Sequence, residues 1–141
     1  MRVMVIVKAN NDSETGTGPA EAILMEMGRY NEELVKAGIM QAGEGLHPTS
    51  KGVRVRLDGG TKTVVNGPFT PIGEQIAGFW LWKVASMDEA IDWAKRCPNP
   101  TDHEFVLEIR PLMEMEDFGD ALTPEVREQE ARLRAEMAAK Q

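Results

Sequence analysis

Two histidines, one cysteine and a scatter of carboxylates are what this sequence offers for acid–base or nucleophilic chemistry. His47 lies in the glycine-rich corner Gly43-Glu44-Gly45-Leu46-His47-Pro48, where an imidazole could take or give a proton near neutral pH. Glu74 follows a proline-rich loop, and loop carboxylates on a rigid scaffold can face a pocket. These two are the candidate catalytic residues; the plainer role of each is a solvated loop residue. His103, after Asp102 in a polar stretch, reads as solvated. Cys97 falls on an apolar helical stripe, the setting of an inert thiol, because reactive thiols need electropositive, accessible surroundings.

One cysteine permits no disulfide within the chain, and with two histidines it makes a poor zinc set, so no metal is expected. The glycines do not form a phosphate loop, since no Lys-Ser or Lys-Thr follows them and no helix opens there. No cofactor is expected either.

The elements that must position these residues follow from periodicity. Residues 2–8 alternate within a β-branched run, as a central strand does. Residues 9–18 read as a polar loop. From Pro19, the residues Ala20, Ile23, Leu24, Met27, Tyr30, Leu34 and Val35 follow helical spacing, and Gly38 ends the helix. A short strand is predicted at 39–43. Residues 53–57 and 61–66 flank Asp58-Gly59-Gly60 and read as a hairpin. A strand follows at 77–84. Ser86-Met87-Asp88-Glu89 is a capping box that opens a second helix, which Pro98 closes. The last strand is predicted at 104–110.

Strand, helix, strand, inserted hairpin, strand, helix, strand is the split β-α-β order of a ferredoxin-like α+β domain. This domain is placed at residues 1–113. Residues 114–141, acidic and then rich in Glu, Arg and Ala, are read as a C-terminal helical extension.

Period two assigns the faces of the sheet. The helix-covered face is expected to carry Val3, Val5, Val7, Phe79, Leu81, Phe105, Leu107 and Ile109, with Val53, Val55 and Leu57 beside them. Opposite them are expected Met4, Ile6, Lys8, Arg54, Arg56, Trp80, Trp82, Val106, Glu108 and Arg110. That second face is too apolar for water and too charged for a dry core. It suits two sheets meeting as a homodimer around a polar pocket. Arg54, Arg56, Trp80, Trp82, Glu108 and Arg110 are the candidate ligand-binding residues, fit for a small anionic ligand held by guanidinium groups beside flat indole walls.

The chain has 141 residues, 42% of them hydrophobic, enough for one packed core. A net charge of −7 repels phosphate backbones, so nucleic acid is not an expected partner. The N-terminal apolar run is too short for a secretion signal or a membrane span, and a cytoplasmic location is expected.

Several motifs occur in series: the corner at 43–48, Asn66-Gly67-Pro68-Phe69, Glu74-Gln75-Ile76-Ala77-Gly78-Phe79, Ala90 to Pro98 with Trp93 and Cys97, and Glu108-Ile109-Arg110-Pro111. In this order they resemble the YCII-related, or DGPF, family over residues 1–113. The resemblance implies a dimeric α/β barrel. Some relatives resemble muconolactone isomerases; others resemble companions of extracytoplasmic-function sigma factors. The sequence departs from the family at Asn66, where an aspartate is usual, and at Pro71, where a carboxylate is common. The first-helix histidine of some relatives has no match, and Met27 and Tyr30 stand in that neighbourhood. The expectation is a small-molecule-binding or sigma-factor-associated accessory protein. An isomerase- or lyase-like enzyme and a purely structural dimer are the alternatives.

Overall fold

The computed structural model describes residues 1–15, 19–99, 101 and 103–141. Asp102 and the end of the predicted 9–18 loop lie outside them. The chain divides into two compact units, Met1–Pro111 and Leu112–Gln141.

The first unit is built on a four-stranded antiparallel sheet in the order β2-β5-β1-β6. Its strands are β1 (Arg2–Lys8), β2 (Met40–Gly45), β5 (Ile76–Lys83) and β6 (Leu107–Pro111). The helices α2 (Glu21–Lys36) and α3 (Met87–Lys95) both pack on one face. A separate hairpin, β3 (Val53–Asp58) and β4 (Thr61–Asn66), turns at Asp58-Gly59-Gly60-Thr61 as its sequence predicts.

Local chemistry fixes the element ends. Gly38 terminates α2 with φ 72°, a conformation that costs a residue with a side chain but not glycine. Ser86 caps α3 by accepting the Glu89 N–H, and the Glu89 carboxylate accepts the Ala85 N–H. Pro19 lies outside α2, which starts at Glu21. The loop expected at 9–18 opens instead with a single helical turn, α1 (Asn11–Glu14). Asn10 caps it by accepting the Ser13 N–H while Ser13 Oγ accepts the Asn10 N–H.

The core sets Val3, Val5, Trp80 and Trp82 of the sheet against Tyr30 and Leu34 of α2 and Ala90 of α3. This corrects the phase expected for β5. Trp80 pairs with Val5 and Trp82 with Val3, so both indoles point under the helices. Phe79 and Leu81 take the open face, opposite Ile6 and Met4. Burial decides the phase. An indole removes about 150–250 Å² from water, more than Phe or Leu in the same place. The Trp82 Nε1–H is buried with no hydrogen-bond partner among the described residues. That costs about 1–3 kcal/mol, less than the roughly 4–6 kcal/mol that burying the ring contributes at 25 cal/mol per Å².

The hairpin also departs from expectation. It is not part of the main sheet, and Val53, Val55 and Leu57 are exposed, not helix-covered. Its base is anchored at the Asn66-Gly67-Pro68-Phe69 motif. The Gly67 N–H donates to the Gly52 carbonyl, and the Phe69 N–H donates to Thr49 Oγ1. A Cβ on Gly67 would lie 1.7 Å from the Thr49 carbonyl oxygen, so only glycine fits. Glu14 of α1 clamps the same place, accepting from the Thr49 N–H at 3.0 Å and from its hydroxyl at 2.6 Å.

In the second unit, a 3-10 segment (Met115–Ala121) precedes α4 (Pro124–Ala139). Thr123 caps α4 by accepting the Val126 N–H, and Pro124 opens it.

Candidate functional site

α2, β2 and β5 enclose an open cleft of about 260 Å³ on the helix side of the sheet. Met27 and Asn31 of α2 form one wall, Gly43, Glu44 and Gly45 of β2 another, and Gly78, Phe79 and Trp80 of β5 the floor, closed by Val7 and Phe105. Helical spacing sets Met27 and Asn31 on one flank of α2. Gly43 leaves room for the Trp80 ring: a Cβ there would sit 2.8 Å from Trp80 Cδ1.

The polar end of the cleft is oriented. The Trp80 Nε1–H donates to Asn31 Oδ1 at 2.9 Å. That bond fixes which end of the amide is the acceptor and leaves the Asn31 NH2 as a donor at the cleft. Trp80 is itself held edge-on by Tyr30, with ring centroids 5.8 Å apart, and the Tyr30 hydroxyl donates to the Trp93 carbonyl at 2.7 Å. Among the described residues lining the cleft, Glu44 is the one titratable residue, and its pairing with Phe79 sends its side chain to the open face.

Groups behind the cleft are chemically quiet. Burial pushes the Cys97 thiol up to about 12. Burial, and then the neighbouring Cys97, push the Tyr30 hydroxyl far above its ordinary value. Neither ionises near neutrality, which agrees with the inert thiol expected at Cys97.

The residues proposed from sequence are not gathered here. His47 is exposed, lines neither this cleft nor the second one, and has no partner among the described residues. Glu74 is exposed in a 3-10 turn (Ile72–Glu74), and it is its backbone carbonyl that accepts from Lys8 Nζ, at 3.3 Å. Arg54 donates to the buried Gln75 Oε1 at 3.0 Å and stacks over Phe69 at 3.8 Å. Arg56 stands on the hairpin beside Thr63. Arg110 is on the open face of the main sheet, opposite Met4. Trp80 and Trp82 lie on the helix-covered face, Glu108 and Arg110 on the open face of the same sheet, and Arg54 and Arg56 on the hairpin, so the shared face expected for these six residues does not form.

Glu108 borders a second open cleft of about 390 Å³ with Lys8, Asn10, Ile72, His103 and Val106. His103 Nε2 lies 3.4 Å from Asp12 Oδ1, both half exposed, a contact of small worth even with the imidazole protonated.

Sequence reasoning missed Asn31. Its signal was a poor helix former at the rim of the buried stripe, next to Tyr30 and one turn from Met27.

The family model of the YCII-related domain matches residues 1–116. The chain belongs to the YCII-related domain family. A relative in Rhizobium meliloti (strain 1021), the uncharacterized protein R00369, is 33% identical over 92 residues, which cover 65% of this chain and 74% of that protein. The matched span of the YCII-related domain contains every cleft residue, and it ends beyond β6. Among the described residues, no helix is long and apolar enough to cross a membrane, and no group of three or more His, Cys, Asp or Glu side chains is arranged to hold a metal ion.

Proposed function

We propose that this YCII-related protein binds a small molecule in the cleft beside Asn31, and that it does so as a homodimeric accessory protein and not as an enzyme. The observation that carries the reading is the Asn31 amide. Its oxygen is committed to Trp80, and its NH2 is left as a donor at a cleft walled by apolar rings and glycines. Acid–base catalysis needs a positioned group to take the proton and usually a second to return it. Among the described residues, neither His47 nor Glu74 lines the cleft, and the Glu44 side chain stands on the other face of the sheet with Phe79. An isomerase or lyase reading draws no support from that set.

The ligand chemistry follows from the lining. A flat, mostly apolar body suits the Trp80 ring with Met27, Val7 and Phe105. A carbonyl oxygen would accept from Asn31. Among the described residues, no cation lines the cleft. The dispersed Arg54, Arg56 and Arg110 leave the anionic ligand expected from sequence without a common site, so a neutral amide-like ligand is the better fit.

The ferredoxin-like assignment draws on the strand order β2-β5-β1-β6 with both helices on one face. The dimeric barrel draws on the open face, where Ile6 is buried and Met4, Phe79 and Leu81 are half-buried around Glu108 and Arg110.

The test is a titration of tryptophan emission with benzamide and, as its anionic counterpart, benzoate. Benzamide should bind at roughly millimolar concentration, as expected for so few atoms. Asn31→Asp keeps the acceptor for Trp80 but removes the donor, and should weaken binding about fivefold or more. Benzoate binding that survives Asn31→Asp and is lost in Arg54→Ala would restore the anionic site and end this proposal.

A further inference from the structure

Among the described residues, two exposed apolar surfaces of the first unit have no partner. One is a face of the hairpin. Paired residues share a face, so Val53, Val55, Leu57 and Val64 lie together, with Lys62 beside Leu57. These four apolar side chains are 57% to 71% exposed. A two-stranded ribbon is marginal in water by itself and keeps such a face for a contact.

The other surface is the outer flank of α2. Leu24, Gly28 and Val35 fall at i, i+4 and i+11, next to Met25; Leu24, Met25 and Val35 are 52% to 60% exposed. Glu21 and Glu32 border this stripe. Gly28 is the informative residue. It sits mid-helix, where glycine costs about 1 kcal/mol relative to alanine. A Cβ there would meet nothing within 4 Å. The notch serves no packing within the protomer among the described residues, and it admits the close approach of another chain.

We propose that the β3–β4 hairpin of one copy docks on the outer flank of α2 of a second copy, with Val55 and Leu57 over the Gly28 notch. Charge selects this occupant. On the docking face the hairpin carries Lys62 beside Leu57, whereas Glu21 and Glu32 border the α2 stripe; Arg54 and Arg56 stand on the ribbon's other face. Hairpin against hairpin would oppose like charges; hairpin against α2 opposes unlike ones. Where two copies exchange hairpins reciprocally, the pair closes as a twofold dimer and leaves neither surface open. Asn31 lies one turn from Gly28 and two from Leu24, on the cleft side of the same flank. The docked hairpin therefore reaches the cleft rim. The docking stands whether or not the cleft takes a ligand.

The test uses the full chain. Gly28→Cys chains and Val55→Cys chains, both with Cys97→Ala, are mixed and treated with a short bismaleimide. The expected result is a covalent dimer in the mixture well above that in either variant alone; its absence overturns the proposal. Gly28→Leu gives a second reading. It fills the notch and raises helix propensity, so weaker association cannot come from a damaged helix. Light scattering should show association weakened on the order of tenfold. Unchanged association, or a wild-type chain that is monomeric, overturns the proposal.

Discussion

Trp80 and Asn31 meet because one lies on the helix-facing side of β5 and the other on the sheet-facing flank of α2; neither is informative alone. Beside them, Tyr30 and Cys97 are protonated groups in a setting that resists ionisation. Burial raises both above their ordinary values, so the folded state holds its protons where the unfolded chain begins to lose them. Stability then falls as pH rises wherever the native state binds more protons. For Cys97 the window opens at its ordinary value of 9.0 and closes near 12. Urea melts should give a constant midpoint between pH 7 and 8.5 and a steady decline above about pH 9, shallower in Cys97→Ala. A thiol reagent at pH 8 should leave Cys97 largely unmodified until the protein is unfolded.

At the scale of elements, the hairpin base rests on one glycine. Gly67→Ala sets a Cβ against the Thr49 carbonyl, and backbone atoms on both sides leave little room to relax. A loss of about 3 kcal/mol is expected. Gly73→Ala, in the following turn, meets nothing within 4 Å and should change stability by about 0.5 kcal/mol or less. Equilibrium unfolding of the two variants checks the contrast. Strand and helix positions were largely legible in the sequence where one period dominates: β1, α2, the hairpin and α3 all announce themselves. Phase was not legible in Phe79-Trp80-Leu81-Trp82, because all four residues are apolar and alternation cannot choose between them. Gly43, which makes room for an indole, held the missing information, but only once β2 and β5 are known to be neighbours. The α1 turn was too short for any period, and its signal lay in Asn10 and Ser13 alone.

At the scale of the whole molecule, the wrong phase for β5 moved the candidate site from one side of the sheet to the other. The expected site was a ring of arginines and tryptophans on the open face. The structure instead disperses the arginines over a hairpin and a sheet edge, and puts Trp80 in the floor of a cleft under α2. Family membership agrees with either side, since a YCII-related domain fixes the chain's fold relations more than its chemistry. The central claim is that the cleft at Asn31 takes a neutral small ligand. Its most direct test is a nitrogen-15 NMR titration of the full chain with benzamide and, separately, benzoate. The account predicts that benzamide moves the Asn31 side-chain NH2 and Trp80 indole N–H signals together, with benzoate much weaker. Static Asn31 and Trp80 signals, with shifts confined to the Nε–H groups of Arg54, Arg56 or Arg110 on adding benzoate, would contradict it.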